Sequence, residues 1–109
     1  MHMKTLYLRD IGKVLGSRVS GEKVRQQVET WLEEGENVQM DFEGVEMATP
    51  SFLDELVGKL FLRWGLETLK GRLQIVHASP QTRVLIRRMV AERLKDMQDR
   101  DKEQPNGGE

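Results

Sequence analysis

Hydrophobic and polar positions alternate in three short stretches of the chain and recur every three to four residues in three longer ones. In Lys4–Arg9, Leu6 and Leu8 alternate with Thr5, Tyr7 and Arg9, a period of two that predicts a half-buried strand. Asn37–Phe42 repeats the pattern, with Val38, Met40 and Phe42 against Gln39 and Asp41. Arg72–His77 does so again, with Leu73, Ile75 and His77 on one face. Between them run helical periodicities. Val24, Val28, Trp31 and Leu32 predict a helix capped by Ser20 and running to about Glu34, with Gly35 ending it. Phe52, Leu53, Leu56, Val57, Leu60, Phe61 and Trp64 predict a second helix. It opens with Thr49 as N-cap and Pro50 at the first helical position, where the missing N–H costs nothing, and Gly65 or Gly71 stops it. Ser79-Pro80 repeats that start for a third helix to about Met97, apolar at Val84, Leu85, Ile86, Met89, Val90 and Leu94. Asp10–Val19 has no clear period, and its segment around Lys13–Leu15 suits a short extra strand.

Strands alternating with helices predict one α/β domain over residues 1–97, with a mostly parallel or mixed sheet of three to four strands. The strands alternate instead of being apolar on both faces, so one sheet face is expected to be polar and the helices to stack mainly on the other. Residues 98–109 are polar and include Pro105 and Gly107-Gly108, the composition of a tail that does not order itself.

Composition narrows the chemistry. A chain of 109 residues, 38% apolar and 32% charged, supports a single core. Without cysteine there are no disulfides, thiolate metal sites or cysteine nucleophiles. No apolar run approaches the ~20 residues that span a bilayer, and no signal-peptide core begins the chain, so the cytoplasm is the expected compartment. The net charge of −1 conceals a strong asymmetry. Glu29–Gly58 carries nine acids and no Lys or Arg, whereas Lys59–Lys95 carries nine Lys and Arg against two acids. Such polarity suits charge pairing between facing elements after folding, or an oriented partner, a second copy included.

The most informative stretch is Asp41–Gly58, a strand end, a tight connection and a helix start. Ser51 lies where a helix leaves N–H groups free and favours negative charge, which makes it a candidate phosphoacceptor. Asp54, Glu55 and Gly58 fall opposite the apolar stripe with Lys59, Leu62 and Arg63, which reads as an exposed docking face with room at the glycine for close approach. Thr49, Pro50 and Ser51 extend that face to the turn. Adjacent carboxylates on a helix diverge by ~100° and share no ligand without a third group, so catalysis and metal binding are not expected, nor is a cofactor. A metal-dependent enzyme using Asp41, Asp54 and Glu55 is the reading thereby set aside. Gly12-x-x-x-Gly16-Ser17 lacks the Gly-Lys-Ser/Thr ending of a phosphate-binding loop. Arg83, Arg87, Arg88 and Lys95 on the last helix offer an alternative function, contact with nucleic-acid phosphates, but no aromatics interleave them. His77 reads as a packed or surface residue.

Asp41, Phe42, Gly44 and Val45, then Ser51, Phe52, Asp54 and Glu55, resemble the hallmark of the STAS-like family of unknown function. That hallmark is a strand ending in Asp-Phe-x-Gly-Val, a short gap, and Ser-Phe-x-Asp-Glu opening a helix. Ser17-Arg18 resembles a second short signature upstream. The family is related to STAS domains, named for sulfate transporters and anti-sigma-factor antagonists. The resemblance implies a small α/β domain that is not an enzyme. It implies a bacterial regulatory module that docks a kinase or ATPase of the histidine-kinase-like superfamily through this turn. The antagonists carry Asp-Ser-Ser-Gly-Leu here, one serine being phosphorylated by the partner. Thr49, Pro50, Ser51, Phe52 and Leu53 stand against those five positions, and only Ser51 and Leu53 match.

Overall fold

In a computed structural model of the protein, residues 3–103 are described, with side chains for residues 3–96. Three strands form a parallel sheet: β1 (Met3–Tyr7), β3 (Asn37–Asp41) and β5 (Leu73–Val76), in the order β1-β3-β5. The register pairs Leu6 with Met40 and Met40 with Ile75, and likewise Lys4 with Val38 and Val38 with Leu73. Because side chains alternate along a strand, these residues share one face. The face packs into a single core with Val24, Val28 and Leu32 of α1 (Arg18–Glu33) and with Leu60 and Leu69. The other face carries Thr5, Gln39 and Gln74 side by side in the register. It is the polar face that the alternation predicts.

The second predicted helix divides into parts. α2 (Pro50–Leu53) passes into a π-helical turn, Asp54–Gly58, and then into α3 (Lys59–Trp64). Gly65, at φ 83°, breaks the path, and α4 (Leu66–Arg72) leads into β5. Gly71 lies inside α4. α5 (Pro80–Glu103) closes the fold, packing Leu85, Ile86, Met89 and Val90 against the core. It runs beyond the expected end at Met97, because neither Gly nor Pro interrupts the sequence before Pro105. Residues 104–109 of the expected tail lie outside the described residues. No helix is long and apolar enough to cross a membrane among the described residues.

Two further features lie below the reach of periodicity. Leu8 ends no strand; it is fully buried in a 3-10 turn, Leu8–Asp10. β2 (Val14–Leu15) and β4 (Met47–Ala48) form a second, two-stranded parallel sheet, pairing Val14 with Met47 and Leu15 with Ala48. α1 also starts earlier than its sequence suggests. Ser17, not Ser20, is the N-cap: the Ser17 hydroxyl accepts the N–H of Ser20 at 2.9 Å, which places Ser20 in the first turn.

Candidate functional site

The turn that opens α2 is built by convergence of three segments. Thr49 caps α2 through Oγ1, which accepts the N–H of Phe52 at 3.2 Å. The same hydroxyl donates to the Gly16 carbonyl at 3.2 Å, and the Thr49 N–H donates to the Leu15 carbonyl at 2.9 Å. These bonds extend the β2–β4 pairing and hold the segment Leu15-Gly16, just before the Ser17 cap of α1, against the start of α2. Arg18 is far in sequence from Asp54 and Glu55 and adjacent to them in space, at 3.4 and 3.5 Å. Ala48 is buried, Thr49 and Ser51 are half-buried and Pro50 is exposed. Phe52 and Leu53 are fully buried in the core.

Asp54, Glu55 and Gly58 do not form an exposed face. Glu55 is only 5% exposed, and Gly58 is buried. The Glu55 carboxylate accepts from Arg25 of α1 at 2.7 Å and pairs with Lys59 at 3.1 Å and Arg18 at 3.5 Å. Arg25 also donates to the Glu55 carbonyl at 2.8 Å. The Arg25 and Lys59 hydrogen bonds hold the Glu55 carboxyl below its ordinary range, against the opposing effect of burial. Asp54 pairs with Arg93 of α5 at 2.5 Å and with Arg18 at 3.4 Å. The helical path from Pro50 is therefore flanked on two sides, by α1 and by α5, and its polar stripe faces cations within the chain. Two glycines permit this packing. A Cβ on Gly21 would meet Glu55 Cβ and the Phe52 carbonyl oxygen at 2.9 Å. One on Gly58 would meet Asp54 Oδ1 at 2.5 Å, so the space at Gly58 is taken by Asp54 and Arg93. Of the expected docking face, Lys59, Leu62 and Arg63 are exposed.

At the carboxyl end of the sheet, Asp41 is buried at the end of the central strand. Its Oδ1 accepts the N–H of Glu43 at 2.9 Å and lies 3.0 Å from His77 Nδ1. The Glu43 N–H and then the His77 ring hold the Asp41 carboxyl below its ordinary range. Gly44, at φ 85°, turns the chain, and Val45 packs against the core. His77 is the one non-glycine residue at positive φ, 60°, among the described residues. Its pairing with Asp41 joins residues 36 apart, which no local reading of the sequence contains.

Above α2, a groove of about 580 Å³ opens between the starts of α2 and α5. Met47, Thr49 and Pro50 line one wall and Pro80, Val84 and Leu85 the other. Met47 is 57% exposed and Val84 50%. This groove escaped the sequence reading, although both walls begin at the recurring Ser/Thr-Pro step. On α5, Arg83 donates to the Ala78 carbonyl and Arg93 is held by Asp54, while Arg87, Arg88 and Lys95 are exposed.

A family model described as a STAS-like domain of unknown function matches residues 20–83. No curated protein and no solved structure matches the chain. The match takes in the central strand, the Asp41–Glu55 hallmark and the helical path through the core, and the small parallel α/β architecture agrees with it. The chain belongs to the family of STAS-like domains of unknown function.

Proposed function

We propose that the protein is a non-catalytic regulatory module that docks a protein partner at the groove between the starts of α2 and α5. The observation that carries this reading is the exposed apolar lining beside the hallmark turn. Met47 and Val84, each about half exposed, flank the Thr49-Pro50 step. Apolar side chains clustered in one concave place are the usual core of an interface. The partner class, an ATPase of the histidine-kinase-like superfamily, follows from the resemblance to anti-sigma-factor antagonists. Ser51, in the first turn of α2, is the proposed phosphoacceptor. A phosphate there adds roughly −1.5 to −2 charges next to the groove and opposes an acidic partner.

The test is capture of an ATPase of that class from a bacterial lysate by the tagged chain, followed by titration with the purified partner. Met47→Lys with Val84→Lys places two charges in the groove at exposed positions. Binding is expected to be lost while the melting temperature stays within a few degrees of wild type. Ser51→Glu is expected to weaken binding in the same direction. Retained affinity in the double variant removes the groove from the reading. Asp54→Lys with Glu55→Lys is not a clean probe, because both carboxylates are committed inside the chain.

A further inference from the structure

We infer that Asp41, Glu43 and His77 form a binding site for a borderline divalent metal ion of the Zn2+ class, separate from the docking groove. One ligand atom from each residue lies within 4.8 Å of the others. Asp41 Oδ1 and His77 Nδ1 are 3.0 Å apart, and Glu43 Oε1 is 3.9 Å from the same nitrogen. Donors around tetrahedral zinc stand ~3.3 Å from one another, given metal–ligand bonds of ~2.0–2.2 Å. The first pair needs almost no movement. Glu43, exposed at the turn, needs only a side-chain swing to close the set.

The donor types select the ion. One imidazole nitrogen with two carboxylates suits Zn2+ or Mn2+ better than Ca2+ or Mg2+, which favour all-oxygen shells. The place fits as well. Asp41 and His77 stand at the carboxyl ends of adjacent parallel strands, where open α/β sheets bind their ligands. The chain holds His77 at φ 60°, a left-handed conformation uncommon for non-glycine residues though more open to Asn, Asp and His, and there its ring lies against Asp41. On binding, the ion takes the place between His77 Nδ1 and Asp41 Oδ1. Nδ1 donates its lone pair, and the single hydrogen of the neutral ring sits on Nε2, reached from Nδ1 by exchange through solvent with no net proton released. Water fills the remaining coordination positions.

The experiment is calorimetric titration of the full chain with Zn2+, in a His2→Ala background that removes the only other imidazole. Saturable binding with one ion per chain is expected, with the His77 ring resonances shifting in NMR spectra over the same titration. His77→Gln is expected to weaken binding by at least ~10-fold, and Glu43→Gln by a smaller factor. Both residues are exposed, so the far-ultraviolet dichroism of these variants should match that of the parent. Affinity unchanged by His77→Gln, or the absence of saturable Zn2+ binding to the folded parent, overturns the site.

Discussion

Glu55 carries more of the fold than its charge suggests. Its carboxylate is buried and shared between Arg25 and Lys59, so removing its charge leaves Arg25 as a shielded cation without its closest partner. Glu55→Gln is expected to cost about 1–2 kcal/mol in urea unfolding, the scale of a lost hydrogen bond to a charged group. The sign of the pH dependence follows from the lowered native values of Glu55 and Asp41. In the unfolded chain these groups take up protons near their ordinary values of 4.5 and 3.8, before the native groups do. The stability they contribute is therefore complete above those values and is lost as pH falls through the lower native ones. Urea midpoints measured between neutral and strongly acidic pH should drop below about pH 4.5. The drop should be smaller in Glu55→Gln. A helical wheel does not reveal this role, because it knows nothing of a second and third helix lying across the polar stripe, and because the π turn shifts the residues that follow it. The capping role of Thr49 and Pro50 was legible, since it depends only on neighbours in sequence. The Asp41–His77 pair was not, since it depends on strand register.

Among the elements, α1 crosses the π-helical turn at close range. Gly21 has no room for a side chain, because the Phe52 carbonyl oxygen and Glu55 Cβ would lie at 2.9 Å from a new Cβ. Gly21→Ala should improve local helix propensity and still destabilise the protein, by about 1–3 kcal/mol, because the helices must separate. A thermal scan decides the sign: a raised melting temperature would mean that the crossing is loose. The long elements were readable from period alone. α1, β3 and the start of α2 lie within a few residues of their predicted positions, because strong amphipathicity and caps coincide there. β2 falls where the short extra strand around Lys13–Leu15 is expected, whereas its two-residue partner β4 is too short for any period. The division at Gly65 was only half legible: the glycine announces a break, and the sequence does not say that a helix resumes at Leu66.

For the molecule as a whole, part of the charge asymmetry resolves into pairing. Arg63 of α3 bridges Glu29 at 3.3 Å and Glu33 at 2.5 Å, Lys59 meets Glu55, and Arg93 meets Asp54. Three of the nine basic residues of Lys59–Lys95 thus meet acids of Glu29–Gly58, while Arg87, Arg88 and Lys95 stay exposed, so pairing between facing elements accounts for part of the asymmetry. α5 is held along its first half by apolar contacts and further on by Arg93. A chain ending at Glu92 should therefore melt several degrees below one ending at Asp96, because the difference includes Arg93 and the half-buried Leu94. Equal melting temperatures would show that the Arg93–Asp54 pair contributes nothing measurable. The strand pairings have a consequence for how this molecule comes to exist. Among the described residues every strand pair is parallel and none is a hairpin, and β1 reaches β3 only after α1 and its loops have been traversed. Loop closure must precede any reward from the sheet. Early order in folding is therefore expected in α1 and its neighbours. The sheet that carries the carboxyl-end residues is expected to assemble late and to stay open longest in a newly made chain, which pulse-labelled hydrogen exchange during refolding would check.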